Sequence, residues 1–441
     1  MKVNRPDVID FFLQELHLEQ IMTQEQSMTQ EQSMTQEQSM TQEQSMTLEQ
    51  SMTQEQTTTQ ENSTTQEQST AQTQFHHYIP RFILKTFADN FSLSNNEFTT
   101  DTSSPDLPWF KSGNPSKLRR KVRPRHDINV YRVEDHTTNP IDVSVAYGVD
   151  DMYRDVTEAD CMKFEKLLAK HESTSATFIR KIWNEDEDLS LTRTQLGDMK
   201  KFLCVMMYLW FENLKWIIEA PVEDIVGEYR NVFVARVESE TPAALLSPYL
   251  GPIHVAELED FGYSMTQTIA CIWQAESGSE FILSEGYFGA WEGDTGIWFH
   301  NFFVVSPRFA IVLANPLYIA EKNKKKPRWT SMFGDKLHVI PETIYKKGPR
   351  SEDVDLATHS TPDDVFKYKR IVVPKEDVYK VNTILLDNRR QFLTYKSNVS
   401  MYKSLCYYDK VKKEMFHDCH DYSILQHKLF SDLNRTHPVD Q

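Results

Sequence analysis

The chain has no Cys-x-x-Cys pair, and its five cysteines (Cys161, Cys204, Cys271, Cys406 and Cys419) are odd in number and far apart. That argues against a disulfide framework and suits a reducing compartment. A long hydrophobic run is also missing. The most apolar stretch, from Phe202 to Ile218, is broken by Glu212, Asn213 and Lys215. A membrane span needs about 20 mostly apolar residues, so this stretch reads as a buried helix. The first residues hold Asp7, Asp10, Glu15 and Glu19, where the core of a secretory signal is uncharged. They read as a short amphipathic helix over residues 1–21. These absences predict a soluble protein, cytoplasmic or nuclear, with no membrane partner.

Positive charge is absent from residues 22–74, which contain no Lys or Arg but eight Glu. Half of the formal net charge of -16 therefore sits in that segment, and the remainder of the chain is mildly acidic. Bulk charge does not favour nucleic-acid binding. The one route left to it is the basic run from Lys117 to Arg125, which otherwise reads as a solvated loop. Residues 22–69 are copies of a six-residue unit, Met-Thr-Gln-Glu-Gln-Ser, with drift in the later copies. A six-residue step spreads the Met around a helix, so no apolar stripe forms. Too little apolar surface is available to offset the ordering entropy, and the repeat is predicted to be disordered.

Beyond the repeat, the periodicities change. Residues 150–183 predict a helix whose apolar face runs through Phe164, Leu168, His171, Ser175, Phe178 and Ile182. Residues 189–220 predict a second, with Thr192 or Ser190 as cap and Pro221 as stop. Residues 128–133 predict a short strand. Strands are predicted at 266–275 and 280–284 around the turn 276–279, and at 297–305 and 308–314 around Ser306-Pro307. Helix returns at 374–396 and 397–408. The expected architecture is one α+β domain over residues 75–410, with a helix-dominated core, a small antiparallel sheet and a tail at 411–441.

At the end of the repeat stands Phe75-His76-His77-Tyr78-Ile79-Pro80-Arg81-Phe82-Ile83-Leu84-Lys85-Thr86-Phe87. Its pattern, carried by His77, Tyr78, Pro80, Phe82, Leu84 and Phe87, resembles the opening signature of the domain of unknown function 4238 family. Further likenesses follow in the family's order as far as about residue 408. Tyr153 leads into a helix with Glu165 and Glu172 seven residues apart. Phe281-Ile282-Leu283-Ser284-Glu285 is similar to a strand end, Ser306-Pro307 to a turn, and the stretch around Asn382 to a closing helix. Two features depart from the family pattern: Glu285 and Tyr287 stand where Asp and a nearby Pro are usual, and no Arg lies near Trp210. The resemblance carries over no activity and implies no cofactor.

The chemistry-bearing residues admit two readings each. His76, His77, Tyr78 and Arg81 can form a polar site, since His moves protons near neutral pH and Arg grips anions in a fork. Alternatively Pro80 sets the chain's entry and His77 and Tyr78 bond backbone groups. Glu165 and Glu172 lie about 10 Å apart along the helix axis, too far to ligate one metal unaided. Each needs a partner to tolerate burial, and Arg81 is the expected counter-ion for Glu165. Ser284 and Glu285 end a strand ahead of Gly286, Gly289, Gly293 and Gly296, a ligand mouth or a plain hairpin connection. Neither a Walker loop nor a nucleophile elbow is present there. His417, Cys419, His420, Asp421 and His427 match no zinc spacing, so no metal is expected. The sequence thus predicts a polar-ligand-binding or regulatory module with site residues His77, Tyr78, Arg81, Glu165, Glu172, Ser284 and Glu285. The competing class is a hydrolase or nuclease that uses His77, Glu165 and Glu285 as acid/base or metal groups.

Overall fold

In a computed structural model of the chain, the described residues are 75–89, 125–153, 160, 162–184, 188–208, 218–222, 224–225, 264–266, 268–292, 299–315, 331–334, 337–348, 359–389, 391–416 and 419–436. The chain divides into two compact units, and every described residue belongs to the one formed by 74–236 and 240–441. The expected N-terminal helix, the repeat and all of the basic run except Arg125 lie outside the described residues.

The helices are α1 (Arg81–Lys85), α2 (Lys163–Trp183), α3 (Arg193–Tyr208), α4 (Lys375–Asp387), α5 (Asn398–Met415) and α6 (Ser423–Thr436). The strands are β1 (Phe75–His77), β2 (Asp127–Arg132), β3 (Thr137–Asp142), β4 (Gly148–Asp150), β5 (Leu189–Thr192), β6 (Ile269–Ala275) and β7 (Leu283–Ser284). They continue with β8 (Phe288–Glu292), β9 (Phe299–Ser306), β10 (Phe309–Ala314), β11 (Glu342–Ile344), β12 (Val365–Tyr368), β13 (Arg370–Val373) and β14 (Phe392–Tyr395).

The class is mixed α+β, but the sheet content corrects the expectation of a helix-dominated core with a small sheet. Strand takes 28% of the described residues. The largest sheet has five strands in the order β13-β6-β10-β9-β8, and its β13–β6 pair is parallel. Smaller sheets join β1 to β4, β11 to β12 and β5, and β3 to β2, β14 and β7. The reason is burial on both faces. β10 is buried at every position, so its sequence shows no alternation to read.

Element boundaries moved for identifiable reasons. The expected helix at 150–183 begins only at α2, because Gly148–Asp150 pairs with β1. The expected helix at 189–220 opens with a strand, since Leu189–Thr192 pairs with β12. Thr192 then caps α3: its hydroxyl accepts from the Gln195 N–H at 3.2 Å, and the Gln195 side chain accepts from the Thr192 N–H at 3.0 Å. The hairpin expected around 276–279 turns as predicted, with Gly278 at φ 81°, but the segment after it leaves β6. Its backbone is claimed by side chains instead. Glu280 N–H donates to Ser400 Oγ at 2.9 Å and Ile282 N–H to Asn382 Oδ1 at 3.0 Å. The helix expected at 374–396 stops at Asp387, and β14 follows. The β9–β10 hairpin around Ser306-Pro307 forms as expected.

Two features position the site. The paired residues of β8, β9, β10 and β6 place Asn301 and Phe303 on one face of the five-stranded sheet and His300 and Phe302 on the other. α4 covers part of the second face, where a Cβ on Gly289 would meet Leu385 at 3.0 Å. α2 meets the first at its C-terminal end. Arg370 of β13 donates to the backbone carbonyls of Lys181 (3.1 Å), Ile182 (3.3 Å) and Asn184 at the end of α2. Two consecutive buried lysines tie α3 to its neighbours: Lys200 donates to the Met265 carbonyl and Lys201 to the Ile218 carbonyl, both at 3.0 Å. Burial pushes the Lys200 ammonium down to about 8.

Candidate functional site

The opening motif threads between the sheets. β1 pairs with β4, and Tyr78 N–H donates to the Tyr147 carbonyl at 3.0 Å, so His76, His77 and Tyr78 are held as a rigid strand end. Pro80 then starts α1, whose Ile83 and Leu84 are buried against the core. Alternation along β1 sends His76 and His77 to opposite sides.

His76 is fully buried and accepts the Tyr153 backbone N–H at Nδ1, 3.2 Å away. In the neutral ring the proton is therefore on Nε2, which lies 3.3 Å from the Glu165 carboxylate. The expected Glu165–Arg81 pair is not what forms: Glu165 takes His76. His77 donates from Nδ1 to the Ala146 carbonyl at 2.8 Å, leaving Nε2 as its acceptor. Burial holds the His77 ring below the usual histidine range, and the Arg81 charge pushes the same way.

Tyr78 reaches across 207 residues of sequence to donate to Glu285 Oε1 at 3.1 Å. Burial, reinforced by Glu285, pushes the Tyr78 phenol far up. The second Glu285 oxygen accepts the backbone N–H groups of Gln391 (2.6 Å) and Phe392 (3.2 Å). Glu285 thereby fastens the opening motif to the entry of β14. Ser284 is buried and spends its hydroxyl on the Phe288 carbonyl at 3.3 Å, closing the turn that carries Glu285. Its role is local.

Glu172 lies on the same stripe of α2 as Glu165, Leu168, Ser175, Ile179 and Ile182. The residue is half-buried, and burial, with the Glu165 charge second, pushes its carboxyl up to about 8. It is thus mostly protonated at neutral pH. The phenols of Tyr153 and Tyr287 are raised chiefly by burial, with Glu172 the first-ranked charge near each. The His76 and Tyr153 rings stack at 5.2 Å between centroids, and the Tyr287 ring lies 6.3 Å from that of Phe303.

Four buried polar groups near this cluster form no hydrogen bond among the described residues: His76 Nε2, whose 3.3 Å approach to Glu165 lacks hydrogen-bond geometry, Arg81 Nε, the Tyr287 hydroxyl and both side-chain atoms of Asn301. Tyr287 and Asn301 are each 1% exposed. Sequence reasoning singled out Arg81 but missed Asn301, which stands beside His300 in a mostly apolar strand, and Tyr287, noted only as a departure from the family pattern. Tyr287 carries a conformational signal as well: its φ of 63° lies in the left-handed region, which a bulky residue adopts at a cost of about 1–2 kcal/mol.

Among the described residues no group of His, Cys, Asp and Glu is arranged to hold a metal ion, and no helix is long and apolar enough to cross a membrane. Of the C-terminal candidates, His420 bonds the Asp387 carbonyl at 3.2 Å and Asp421 accepts the Ser423 N–H at 2.9 Å. His417 lies outside the described residues.

Fold and site together define a mixed α+β protein whose opening His-Tyr-x-Pro strand closes over a buried polar cluster. The family model described as "Protein of unknown function (DUF4238)" matches residues 76–224, in agreement with the resemblance of the opening motif. The match takes in His76, His77, Tyr78, Arg81, Glu165 and Glu172, whereas Ser284, Glu285, Tyr287 and Asn301 lie beyond it. No curated protein and no solved structure matches the chain.

Proposed function

We propose that the unit is a binding module for a small anionic ligand, held where the opening motif, α2 and the Asn301 face of the five-stranded sheet meet. One observation supports this reading most. Arg81 has its Nε buried and unpartnered among the described residues, while Glu165 lies 3.3 Å from His76 Nε2 and Glu285 is satisfied by Tyr78 and backbone N–H groups. Arg81 is half-buried overall, and a guanidinium nitrogen withdrawn from water costs free energy unless an acceptor answers it. Nearby, the His77 ring is kept neutral and so does not compete for that anion. His77, Tyr78, Glu165, Glu172, Ser284 and Glu285 are then the frame: they place Arg81 rather than touch the ligand first.

The test is a thermal melt of the full chain titrated with inorganic phosphate and, separately, with citrate. Binding raises the melting temperature in proportion to the logarithm of ligand concentration above Kd. The expected result is a rise with at least one anion in wild type that Arg81→Ala abolishes. Equal responses in the two proteins, or none in either, contradict the reading.

A second reading keeps the hydrolase class. Glu172 and Glu165 share one helix stripe, one mostly protonated and the other beside His76, an arrangement suited to general acid–base work. Under it, Glu172→Gln removes turnover of a hydrolysable phosphoester or ester while leaving anion binding in place. Under the module reading, no turnover is lost because none exists.

A further inference from the structure

Asn301 and Tyr287 are not explained by an anion site alone. β9 is a central strand between β8 and β10, so the backbone of Asn301 is fully engaged and its carboxamide stands free of the ladder. Alternation puts that carboxamide on the face carrying Phe303, whose ring lies 6.3 Å from that of Tyr287. α1, which begins with Arg81, packs against the same strand. The C-terminal end of α2 is tied to Arg370 of the same sheet. The unpartnered Asn301 and Tyr287 groups therefore share one neighbour, Phe303, rather than being scattered. A carboxamide buried without any partner leaves two donors and an acceptor unmet, which a Leu of similar shape would avoid.

We infer that this cluster is a second subsite of the same pocket, and that the ligand carries, besides its anionic group, a planar edge with an adjacent hydrogen-bond donor and acceptor, read by the Asn301 carboxamide. The inference rests on the anion-binding reading above. The complementarity is chemical: a carboxamide offers a donor and an acceptor side by side and matches the same pair on a primary amide or on an adenine-type base edge. The Tyr287 hydroxyl, buried and unpartnered near Phe303, supplies a further donor. The opposite end of the ligand is the anion at Arg81. Phosphate-bearing bases and carboxylates bearing an amide share this chemistry.

Two matched pairs of probes separate the sources, with affinities measured by calorimetry on the full chain. AMP is compared with ribose 5-phosphate, and glutaramate with pentanoate; each pair keeps the anion and changes only the edge. In at least one pair, the edge-bearing member is expected to bind ten-fold or more tightly than its partner. Asn301→Leu is expected to erase that ratio while leaving the partner's affinity unchanged. The pair that responds identifies the edge as base or amide. If Asn301→Leu does not fold, Tyr287→Phe, which removes one oxygen, is expected to reduce the same ratio. If ribose 5-phosphate or pentanoate binds through Arg81 but neither pair shows a difference, or if the ratio survives in Asn301→Leu, the second subsite is overturned and the anion site stands. If no probe binds in an Arg81-dependent way, the anion reading itself fails.

Discussion

At the scale of single residues, the opening motif works by satisfying one buried group with another from far along the chain. Tyr78 and Glu285 are the clearest case, because the carboxylate that accepts the phenol also accepts two backbone N–H groups ahead of β14. Tyr78→Phe leaves one buried oxygen of Glu285 short of a donor and should cost about 1–3 kcal/mol in urea unfolding. An unchanged midpoint would mean that water replaces the phenol. The need for a partner at Tyr78 and Glu285 was legible in the sequence, since both are polar groups set in apolar surroundings. Their pairing with each other was not, because 207 residues separate them. Adjacent histidines hid the other assignment. Alternation on a three-residue strand decides that His76, not His77, meets Glu165, and nothing in the spelling marks that strand.

At the scale of elements, α2 carries the electrostatics. Its face was readable at Leu168, Ser175, Phe178 and Ile182, which are buried, whereas Phe164 and His171 were expected on it and Glu165 and Glu172 were not. Strands fared worse. Leu189–Thr192 was absorbed into a helix because four residues are too few to show a period, and its partner β12 begins only at Val365. The raised Glu172 carboxyl makes a pH prediction for α2. Its folded-state pKa, about 8, lies above the ordinary carboxylate value near 4.5. The folded state therefore binds its proton more tightly than the unfolded chain does. The stabilisation this brings is complete below about pH 4.5 and is lost as pH rises through about 8. Glu172→Gln should flatten the decline in stability between about pH 5 and pH 8, measured by urea unfolding across that range. A decline of the same slope in both proteins would place the Glu172 carboxyl in water.

At the scale of the whole molecule, the acidic repeat and the folded unit are expected to be independent. Residues 22–74 offer no apolar face, so removing them should shift the melting temperature by no more than about 2 °C. A larger fall would mean that the repeat docks. The periodicities marked the mixed class, whereas the size of the five-stranded sheet was hidden by strands buried on both faces. The polar pocket was half legible. Arg81 announced itself by following His-Tyr-x-Pro, while Asn301 is a single polar letter between His300 and Phe302.

The account turns on Arg81 as a cation kept for a ligand rather than for the fold, and stability without ligand tests this most directly. Arg81→Met keeps the apolar stem and removes only the guanidinium. Residues placed for function at the expense of stability give variants as stable as the parent or more so when replaced. The predicted result is a melting temperature, in buffer free of polyvalent anions, that is unchanged or raised by a few degrees. A fall of about 5 °C or more would show that the guanidinium holds the fold together, and would contradict its assignment as the anchor of a ligand site.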